Sequence, residues 1–357
     1  MNKVAVIGFA QTKFKNWDNL TFQELVFEAV NNALNDARIS PEDIDTVVDA
    51  GIDLLDGKAI SNTDIIGSAG CFLKEEVKLE EDGMLALYYA YLRILSGYHK
   101  TALVFGYSKT TNVDLASFHS CVAEPIIHRR LGLNETTALA LQANAYREKY
   151  KISDEDVAYL LEKNYKNALK NNYYEVKEKK FDFLRSEIIS SPLKKIDLPN
   201  FTDGACAIVI SNEVKNREPI WIKTITNCAD SYDIGLRNPC EITSLKIASQ
   251  NVYRKTGIKS PIDEIDLFEI SSPTSYHELM VYEALGLCNK GEGKYLKNCD
   301  KINQSGGSLP SYVYVAEGLN RVIECCKKIR EGSVKIALAH ATCGLAMQSN
   351  TVAIFQI

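Results

Sequence analysis

The chain has 357 residues, of which 46% are hydrophobic, and a formal net charge of −5. Such a length can bury a large core, either as one domain or as two similar halves. A membrane-spanning protein is disfavoured, because no apolar run reaches the roughly 18 residues of a membrane-spanning helix. The net charge gives no reason to bind nucleic acid or an acidic membrane. A zinc-binding or disulfide-stabilised protein is also disfavoured, because the ten scattered cysteines form neither a zinc motif nor a disulfide framework. We therefore expect a cytoplasmic protein with reduced thiols and no metal site.

The first half of the chain is predicted to alternate strands and helices. Strands are expected at 4–9, 46–50 and 101–106, and helices at 21–36 and 83–96. They make up an N-terminal half, 1–109, which a closing strand completes within the return segment 204–212. Between these lies an insertion, 110–203, with two helix-rich stretches, TALALQANAYREKY and SDEDVAYLLEKNYKNALKN. Because connecting segments often carry function, we expect this insertion to cap one end of the sheets.

The second half, 213–357, repeats the first. ARISPEDIDTVVDAGI (37–52) matches TGIKSPIDEIDLFEIS (256–271), and YLRILSGYHKTALVFG (91–106) matches CCKKIREGSVKIALAH (325–340). The repeat predicts strands at 220–226, 267–270, 334–340 and 351–357, and helices at 243–256 and 311–330. An internal repeat of this kind indicates a duplicated structural unit.

These patterns predict an α/β fold with two duplicated βαβαβ halves in an αβαβα layered sandwich. Strands that alternate with helices favour layered units, whose right-handed crossovers would make the sheets mainly parallel. The helices at 84–95 and 313–329 are apolar on nearly all faces, unlike the amphipathic helix at 21–36. We therefore place the first two between two sheets, with their N-termini open towards a ligand.

Three consecutive acids, Glu80, Glu81 and Asp82, precede the first of these central helices. Acids in a first helical turn stabilise it by about 0.3–1 kcal/mol each, and Asp82 before Gly83 is a good N-cap. A second explanation makes Glu80 a general base whose pKa is raised towards neutrality, a role that contributes about 10² to 10⁴ in rate. A third is a salt bridge to a neighbouring cation.

Segments along the whole chain resemble the thiolase superfamily, particularly the archaeal and sterol-carrier-type thiolases. KVAVIGFAQTKF resembles the family's opening strand and loop, FTDGACAIVIS its return strand, HELMVYEALGLC a helix of its second half, and NQSGGSLP its Asn-Pro-Ser-Gly-Gly turn. The resemblance implies the thiolase fold, with a site for acyl thioesters near the N-termini of the central helices.

The residues at the family's catalytic positions depart from its pattern. The resemblance places Glu80 where thiolases carry a nucleophilic cysteine and Ser271 where they begin a His-Asp or Asn-Glu motif, and no histidine follows Gly307 where they have Gly-His-Pro. A carboxylate at position 80 would give a mixed anhydride, so ordinary acyl transfer through a cysteinyl thioester is excluded there. Only LAHATCG, with His340 and Cys343, resembles the family's reactive last loop.

Tyr312 and Tyr314 lie close to the position of the missing histidine. They are explained either as packed tyrosines with hydroxyls at a polar edge or, by resemblance to thiolase-like aldolases that lack the cysteine, as groups for proton transfer. For His340 and Cys343 the alternatives are a buried structural pair and proton transfer at a substrate α-carbon, the step that thiolases carry out in this loop.

The glycine turn at Ser305, Gly306 and Gly307 offers backbone N–H groups ahead of a helix. Such groups can donate to a carbonyl or thioester oxygen, so this turn and Ser271 are candidate substrate-binding residues. The start of the insertion adds SFHSCVAEP, whose histidine and cysteine are further candidates to face the same pocket.

The resemblance leaves two functions open. The first is an enzyme that makes or breaks a C–C bond next to an acyl-CoA or other acyl thioester, by an aldol or retro-aldol step without a cysteinyl acyl-enzyme. The second is a catalytically inactive subunit that pairs with an active thiolase or an acyl-CoA-binding partner. In either case the resemblance implies a coenzyme A or acyl-carrier thioester as ligand, no bound cofactor, a homodimer formed through the first-half sheet edge, and a zinc-ribbon and OB-fold partner protein.

Overall fold

The computed structural model describes residues 3–177, 183, 185–214 and 219–357. Its strands are β1 (Ala5–Gln11), β2 (Thr46–Ala50), β3 (Glu75–Leu79), β4 (Thr101–Ser108), β5 (Ile188–Ser190), β6 (Leu193–Lys194), β7 (Gly204–Ser211), β8 (Ile220–Ala229), β9 (Leu267–Ile270), β10 (Ile336–Cys343) and β11 (Ser349–Gln356). Its helices are α1 (Phe22–Ala37), α2 (Asp53–Asp56), α3 (Gly83–Leu95), α4 (Leu115–Cys121), α5 (Glu135–Tyr150), α6 (Asp154–Ala168), α7 (Thr243–Thr256), α8 (Pro261–Glu264), α9 (Ser275–Ala284) and α10 (Glu317–Arg330). Parts of the two predicted halves (1–2 and 215–218) and of the insertion (178–182 and 184) lie outside the described residues.

Nine strands form one large mixed sheet in the order β3-β2-β4-β7-β1-β8-β11-β10-β9. At its centre β1 and β8 pair through Ala5 with Trp221 and Val6 with Ile220. Outward from this pair the order is equivalent on both sides, β1-β7-β4-β2 in the first half and β8-β11-β10-β9 in the second. The predicted duplication is therefore confirmed, and β3 is an additional strand at the outer edge of the first half.

The expectation of mainly parallel sheets is wrong. The described parallel pairs are β2–β3, β2–β4 and β9–β10, whereas β7 and β11 run antiparallel to both of their neighbours. The cause is the connection: β10 ends at Cys343 and β11 begins at Ser349, and so short a link allows only an antiparallel pair. In the first half β4 and β7 pair in the same way, with the insertion in the corresponding link.

The two halves of the sheet enclose α3 and α10, as predicted. One hydrophobic cluster joins both helices to both halves, and includes Leu87, Ile210, Val322 and Ala339. Helix α1 covers the outer face of the first half, and α7 and α9 lie on the outer side of the second. The layers therefore follow the predicted αβαβα order. Within the described part of the chain, no helix combines the length and apolar character needed to cross a bilayer.

The insertion packs on the second half of the molecule. Tyr146 of α5 and Leu160 of α6 share a hydrophobic cluster with Leu279 of α9 and Phe268 of β9. The hydroxyl of Tyr146 also donates a hydrogen bond to Glu283 of α9. These contacts fix α5, whose N-terminal residue Glu135 reaches the ends of the central helices.

Helix α10 begins later than predicted, at residue 317 instead of 311. The segment before it is held extended by the chain that leads into β7: the Asn200 N–H donates to the Leu309 carbonyl (2.9 Å) and the Tyr312 N–H to the Asn200 carbonyl (2.9 Å). A short 3-10 turn, Tyr314–Ala316, then leads into the helix. Because Tyr312 and Tyr314 both precede the α-helix, their side chains are not fixed by its periodicity, and both face the same cavity.

Candidate active site

The N-termini of α3 and α10 meet at one carboxyl group. Asp82 is the N-cap of α3, as predicted, and its Oδ1 accepts the Met84 N–H (2.8 Å). Its Oδ2 accepts the N–H of Gly318, in the first turn of α10 (2.9 Å). Amides at a helix N-terminus carry partial positive charge, so this junction favours an anion or a polarised oxygen.

The close approach of the two helices depends on glycine. A Cβ atom added at Gly318 would lie 1.9 Å from Asp82 Oδ1, and one added at Gly83 would lie 2.6 Å from Leu319 Cγ. Real Cβ atoms do not approach other atoms so closely, since packed side chains leave few gaps. These two glycines therefore fix how near the helix ends can come.

A small cavity of about 30 Å³ adjoins this junction. It is lined by Ile52, Asp82, Glu135, Pro273, Tyr312, Tyr314, Val315, Thr342, Cys343, Gly344 and Met347. The lining residues come from both halves of the sheet sandwich and from the insertion. The volume corresponds to about one water molecule, so a larger ligand must displace lining side chains.

Two carboxyl groups of the cavity have pKa values near neutrality. Burial raises the pKa of Asp82 to about 8, with a further contribution from the nearby Glu317, against the lowering effect of its two N–H donors. Burial also raises the pKa of Glu135 to about 7, opposed by the N–H of Ala346 and the charge of Arg237. Groups of this kind can exchange protons at physiological pH.

Tyr312 and Tyr314 both line the cavity and belong to an aromatic cluster. Their ring centroids are 5.8 Å apart in an edge-to-face arrangement, and the Phe201 ring lies 5.5 Å from Tyr312 and 5.9 Å from Tyr314. Burial, with nearby carboxylates, raises the pKa of each phenol well above its usual value. Both tyrosines are therefore protonated at neutral pH, so that each hydroxyl can donate a hydrogen bond to a ligand.

Cys343, the last residue of β10, also lines the cavity. Burial raises the pKa of its thiol, as do Glu81 and Asp82, while the N–H groups of Gly344 and Asp82 act in the opposite direction. The thiol is consequently protonated at neutral pH. A protonated thiol can deliver a proton to a carbanion, but it is a weak nucleophile.

His340 lies three residues before Cys343 on β10 and is fully buried. Its Nε2 is 2.9 Å from Asn350 Oδ1, and burial lowers the pKa of the imidazole to about 4. It is not among the described residues that line the cavity. His119 lies behind Tyr314, with ring centroids 6.2 Å apart, and Cys121 lines a separate cleft.

The structure places Glu80 outside the cavity. Its carboxylate lies 2.7 Å from Lys78 Nζ and accepts the Asp53 N–H (3.0 Å), and about half of its side chain is exposed to solvent. Lys78 also pairs with the Asp53 carboxylate. The ion pair is thus the observed contact of Glu80, and its predicted role as a base stays a prediction.

The predicted oxyanion turn uses its amides within the fold. The Ser305 N–H donates to Glu269 Oε1 (2.9 Å), and the Gly306 N–H donates to the Asn303 carbonyl (3.0 Å). The Gly307 N–H is 3.4 Å from Ser305 Oγ. Neither this turn nor the buried Ser271 is among the described residues that line the cavity.

Sequence reasoning missed two carboxyl groups of the cavity. Asp82 was expected only as a helix cap, although it lines the cavity as well. Glu135 was not expected at all, because it enters from the insertion and shares no motif or spacing with the other lining residues. The signal for Asp82 was its place at the start of an apolar helix; the sequence holds no comparable signal for Glu135.

Comparisons with known proteins agree with this architecture. Residues 227–356 match the family described as "Thiolase C-terminal domain-like". Acetyl-CoA acetyltransferase of Methanocaldococcus jannaschii is 28% identical over 93% of this chain and 91% of that protein. Bovine sterol carrier protein 2 is 27% identical over 95% of this chain and 70% of that protein.

Among solved structures, one described as an "Ltp2-ChsH2(DUF35) aldolase" has a TM-score of 0.83 at 19% identity, covering 99% of this chain and 97% of the other. At 19% sequence identity this similarity supports only a shared fold. The nine-stranded duplicated sandwich and the full-length sequence relatives lead to the same family. Residues 227–356 belong to the thiolase C-terminal domain-like family, and the chain as a whole resembles the thiolase superfamily over nearly its full length.

Proposed function

We propose that the protein is an enzyme that makes or breaks a C–C bond in an acyl thioester by an aldol or retro-aldol step. The observation that carries the proposal is the set of protonated donors, Tyr312, Tyr314 and Cys343, in one cavity beside an α3 N-terminus that has no cysteine. In the cleavage direction a β-hydroxyacyl thioester gives a shorter acyl thioester and an aldehyde or ketone. No covalent acyl-enzyme is needed.

The named relatives support the substrate class and the reaction type. Two are an acetyl-CoA acetyltransferase and a sterol carrier protein 2, and the fold neighbour is described as an aldolase. We infer from the first a coenzyme A thioester and from the last a C–C bond reaction. A ketoacyl-CoA thiolase would need a nucleophilic cysteine, and Cys343, the one cysteine among the described residues that line the cavity, has a raised thiol pKa.

The lining residues suggest how protons move in this reaction. Loss of the β-hydroxyl proton and cleavage of the Cα–Cβ bond leave an electron pair on the thioester as an enolate. Tyr312 and Tyr314 donate hydrogen bonds to developing negative charge, which stabilises it best where water is excluded. Cys343 then gives its proton to the α-carbon. Glu80 and His340, outside the cavity, hold neighbouring segments in place.

The test uses the purified chain with coenzyme A, acetyl-CoA and three β-hydroxyacyl thioesters: 3-hydroxybutyryl-CoA, 3-hydroxy-3-methylbutyryl-CoA and 3-hydroxy-3-phenylpropionyl-CoA. Calorimetry measures binding, and release of acetaldehyde, acetone or benzaldehyde measures cleavage. We expect Tyr314→Phe to lower kcat by about 10² or more with KM nearly unchanged. Glu80→Gln, outside the cavity, should change kcat less than tenfold. A parent protein that binds none of these thioesters would refute the proposal.

A non-catalytic subunit is the second candidate, and the size of the cavity favours it. About 30 Å³ holds no thioester without movement of the lining residues. In this case the chain pairs with an active thiolase or with an acyl-CoA-binding protein of the zinc-ribbon and OB-fold kind. The name of the fold neighbour, which includes a DUF35 component, supports such a partner. Binding of acyl-CoA without turnover in either direction would favour this function.

We further infer a cytoplasmic homodimer. The support is β3, an edge strand of the sheet, with exposed apolar side chains close to it, among them Phe72 and Leu73. An edge strand presents unpaired backbone groups that a second copy can pair with.

A further inference from the structure

Glu135 is the one described cavity-lining acid that comes from the insertion. It is the first residue of α5, directly after the N-cap Asn134. Its Oε2 atom is buried and has no hydrogen-bond partner among the described residues. The N–H of Ala346 and the charge of Arg237 both favour the carboxylate, as does the N-terminus of α5 itself. The carboxylate is thus supported as an anion, yet one oxygen is left free.

The other titratable groups of the cavity are not available as bases. Both oxygens of Asp82 accept helix N–H bonds. Burial keeps the phenols of Tyr312 and Tyr314 protonated, and the Cys343 thiol is protonated for the same reason. Burial also raises the pKa of Asp82 to about 8, so that this carboxyl is mostly protonated at neutral pH. The retro-aldol step needs a group that removes the β-hydroxyl proton, and none of these four groups is predominantly an anion at neutral pH.

We propose that Glu135 is the proton acceptor of the reaction, so that the insertion supplies a catalytic residue and not only a cover. This inference rests on the proposed aldol-type function. The Glu135 carboxylate takes the β-hydroxyl proton, the Cα–Cβ bond breaks, and its electron pair moves onto the thioester as an enolate. The carbonyl product leaves, Cys343 protonates the α-carbon, and the proton held by Glu135 then restores the thiol. The number of protons is unchanged over the cycle.

The proposal predicts a pH dependence with a defined sign. The groups that face Glu135 are Arg237, which favours its ionised form, and the two tyrosines, which are neutral until high pH. Asp82 lines the same cavity and ionises at about pH 8. A base must be ionised to act, so kcat/KM should fall as the pH drops below about 7.

The experiment compares the full-length protein with Glu135→Gln, Glu135→Asp and the matched control Glu155→Gln. Glu155 is an exposed acid in the first turn of α6, also in the insertion. Cleavage of the three β-hydroxyacyl-CoA thioesters is followed from pH 5.5 to pH 9, and binding of each thioester is measured by calorimetry. Thermal unfolding checks that each variant is folded.

We expect Glu135→Gln to lose about 10² to 10⁴ in kcat, to keep its affinity for the thioesters within about threefold, and to lose the acidic limb of the pH profile. Glu135→Asp, which retains a carboxyl, should keep that limb at a lower rate, and Glu155→Gln should match the parent. A folded Glu135→Gln protein with parental rate and pH profile would overturn the role of Glu135 while leaving the aldol function intact. A parent that binds the thioesters without cleaving them would overturn the reaction, and with it this role.

Discussion

Asp82 connects the two central helices, and its protonation should therefore govern stability. Its side chain is buried and receives one N–H bond from α3 and one from α10. Burial of a charge without a cation beside it is costly, which explains why the pKa of this group is raised to about 8 in the folded protein. A free carboxyl of this type ionises near pH 3.9 in an unfolded chain.

The first prediction follows from this difference. The stabilisation from protonated Asp82 is fully present below about pH 4 and is lost as the pH rises through about 8, because the unfolded chain gives up its proton first. Each pKa unit corresponds to about 1.4 kcal/mol, so the loss should amount to several kcal/mol. Urea unfolding of the parent between pH 4 and pH 8 should show this loss, whereas Asp82→Asn should not. Parallel curves for the two proteins would contradict the assignment, and Glu155→Gln serves as the control that follows the parent.

A second prediction concerns Arg321, which is fully buried beneath the glycine turn. Its guanidinium lies 3.0 Å from Glu269 and 2.9 Å from Glu317, and it also contacts Ser305 Oγ (2.9 Å). Arg321→Met would leave two buried acids without their cation, so we expect a loss of roughly 3–5 kcal/mol in the free energy of unfolding.

A double-mutant cycle with Glu269→Gln separates this effect from lost packing. If the charges matter, Arg321→Met combined with Glu269→Gln should cost less than the sum of the two single changes, since one unpaired acid has been removed. Strict additivity would show that packing of the arginine chain is what Arg321→Met disturbs. Urea unfolding at pH 7 gives all four values.

At the scale of elements, the meeting of α3 and α10 yields a third prediction. Gly318→Ala should destabilise the protein by about 1–3 kcal/mol, because the new methyl group would overlap Asp82 Oδ1 and the Ala341 side chain. Alanine is intrinsically the better helix former by about 1 kcal/mol, so destabilisation would show that steric overlap outweighs propensity. Gly67→Ala is the control, since its added methyl group would have its nearest neighbour at 3.5 Å. Stabilisation by Gly318→Ala would mean that the helices have room to separate.

Several elements follow directly from the sequence, and the reason is local. The predicted bounds of 46–50, 243–256 and 267–270 coincide with β2, α7 and β9, because each is a short apolar or amphipathic run between turn residues. Strand β3 was missed, since charged residues make up most of Glu75–Leu79 and its conformation depends on pairing with β2. Pairing across the sheet is a tertiary effect that propensity does not record.

The candidate site could be predicted only in part for a similar reason. Tyr312, Tyr314 and Cys343 were predicted because the resemblance to thiolases places the tyrosines near that family's catalytic histidine and the cysteine in its reactive last loop. The segment before α10, which is extended up to Tyr312 and enters a 3-10 turn at Tyr314, is held by backbone pairing with Asn200, a residue more than one hundred positions away. Glu135 reaches the cavity through the packing of α5 on α9, which no local pattern indicates.

At the scale of the whole molecule, the duplication explains why one cavity receives residues from three parts of the chain. The pair β1–β8 relates the two halves, so that equivalent central helices start at the same end of the sandwich. The insertion interrupts the link between β4 and β7, and the short link between β10 and β11 follows Cys343 and holds the cavity-lining residues Gly344 and Met347. Equivalent links in the two halves thus lead into the region above the helix ends, which is where proton donors and acceptors can be brought together.

The last prediction concerns assembly through β3. Two copies paired antiparallel about Val77 would be related by a twofold axis, so that the same strand edge of each copy forms the interface. Next to this edge, Arg93 of α3 pairs with Glu75 and lies over the ring of Tyr89. The side chains of Tyr89 and Leu92 are 38% and 43% exposed and form an apolar strip on α3. Burial of this apolar strip would add to the strand pairing.

Tyr89→Glu should therefore convert a dimer to a monomer in sedimentation velocity runs, while Leu131→Glu, at an exposed position of the insertion, should not. A parent that sediments as a monomer at micromolar concentration, or equal effects of the two changes, would rule out this edge as the interface.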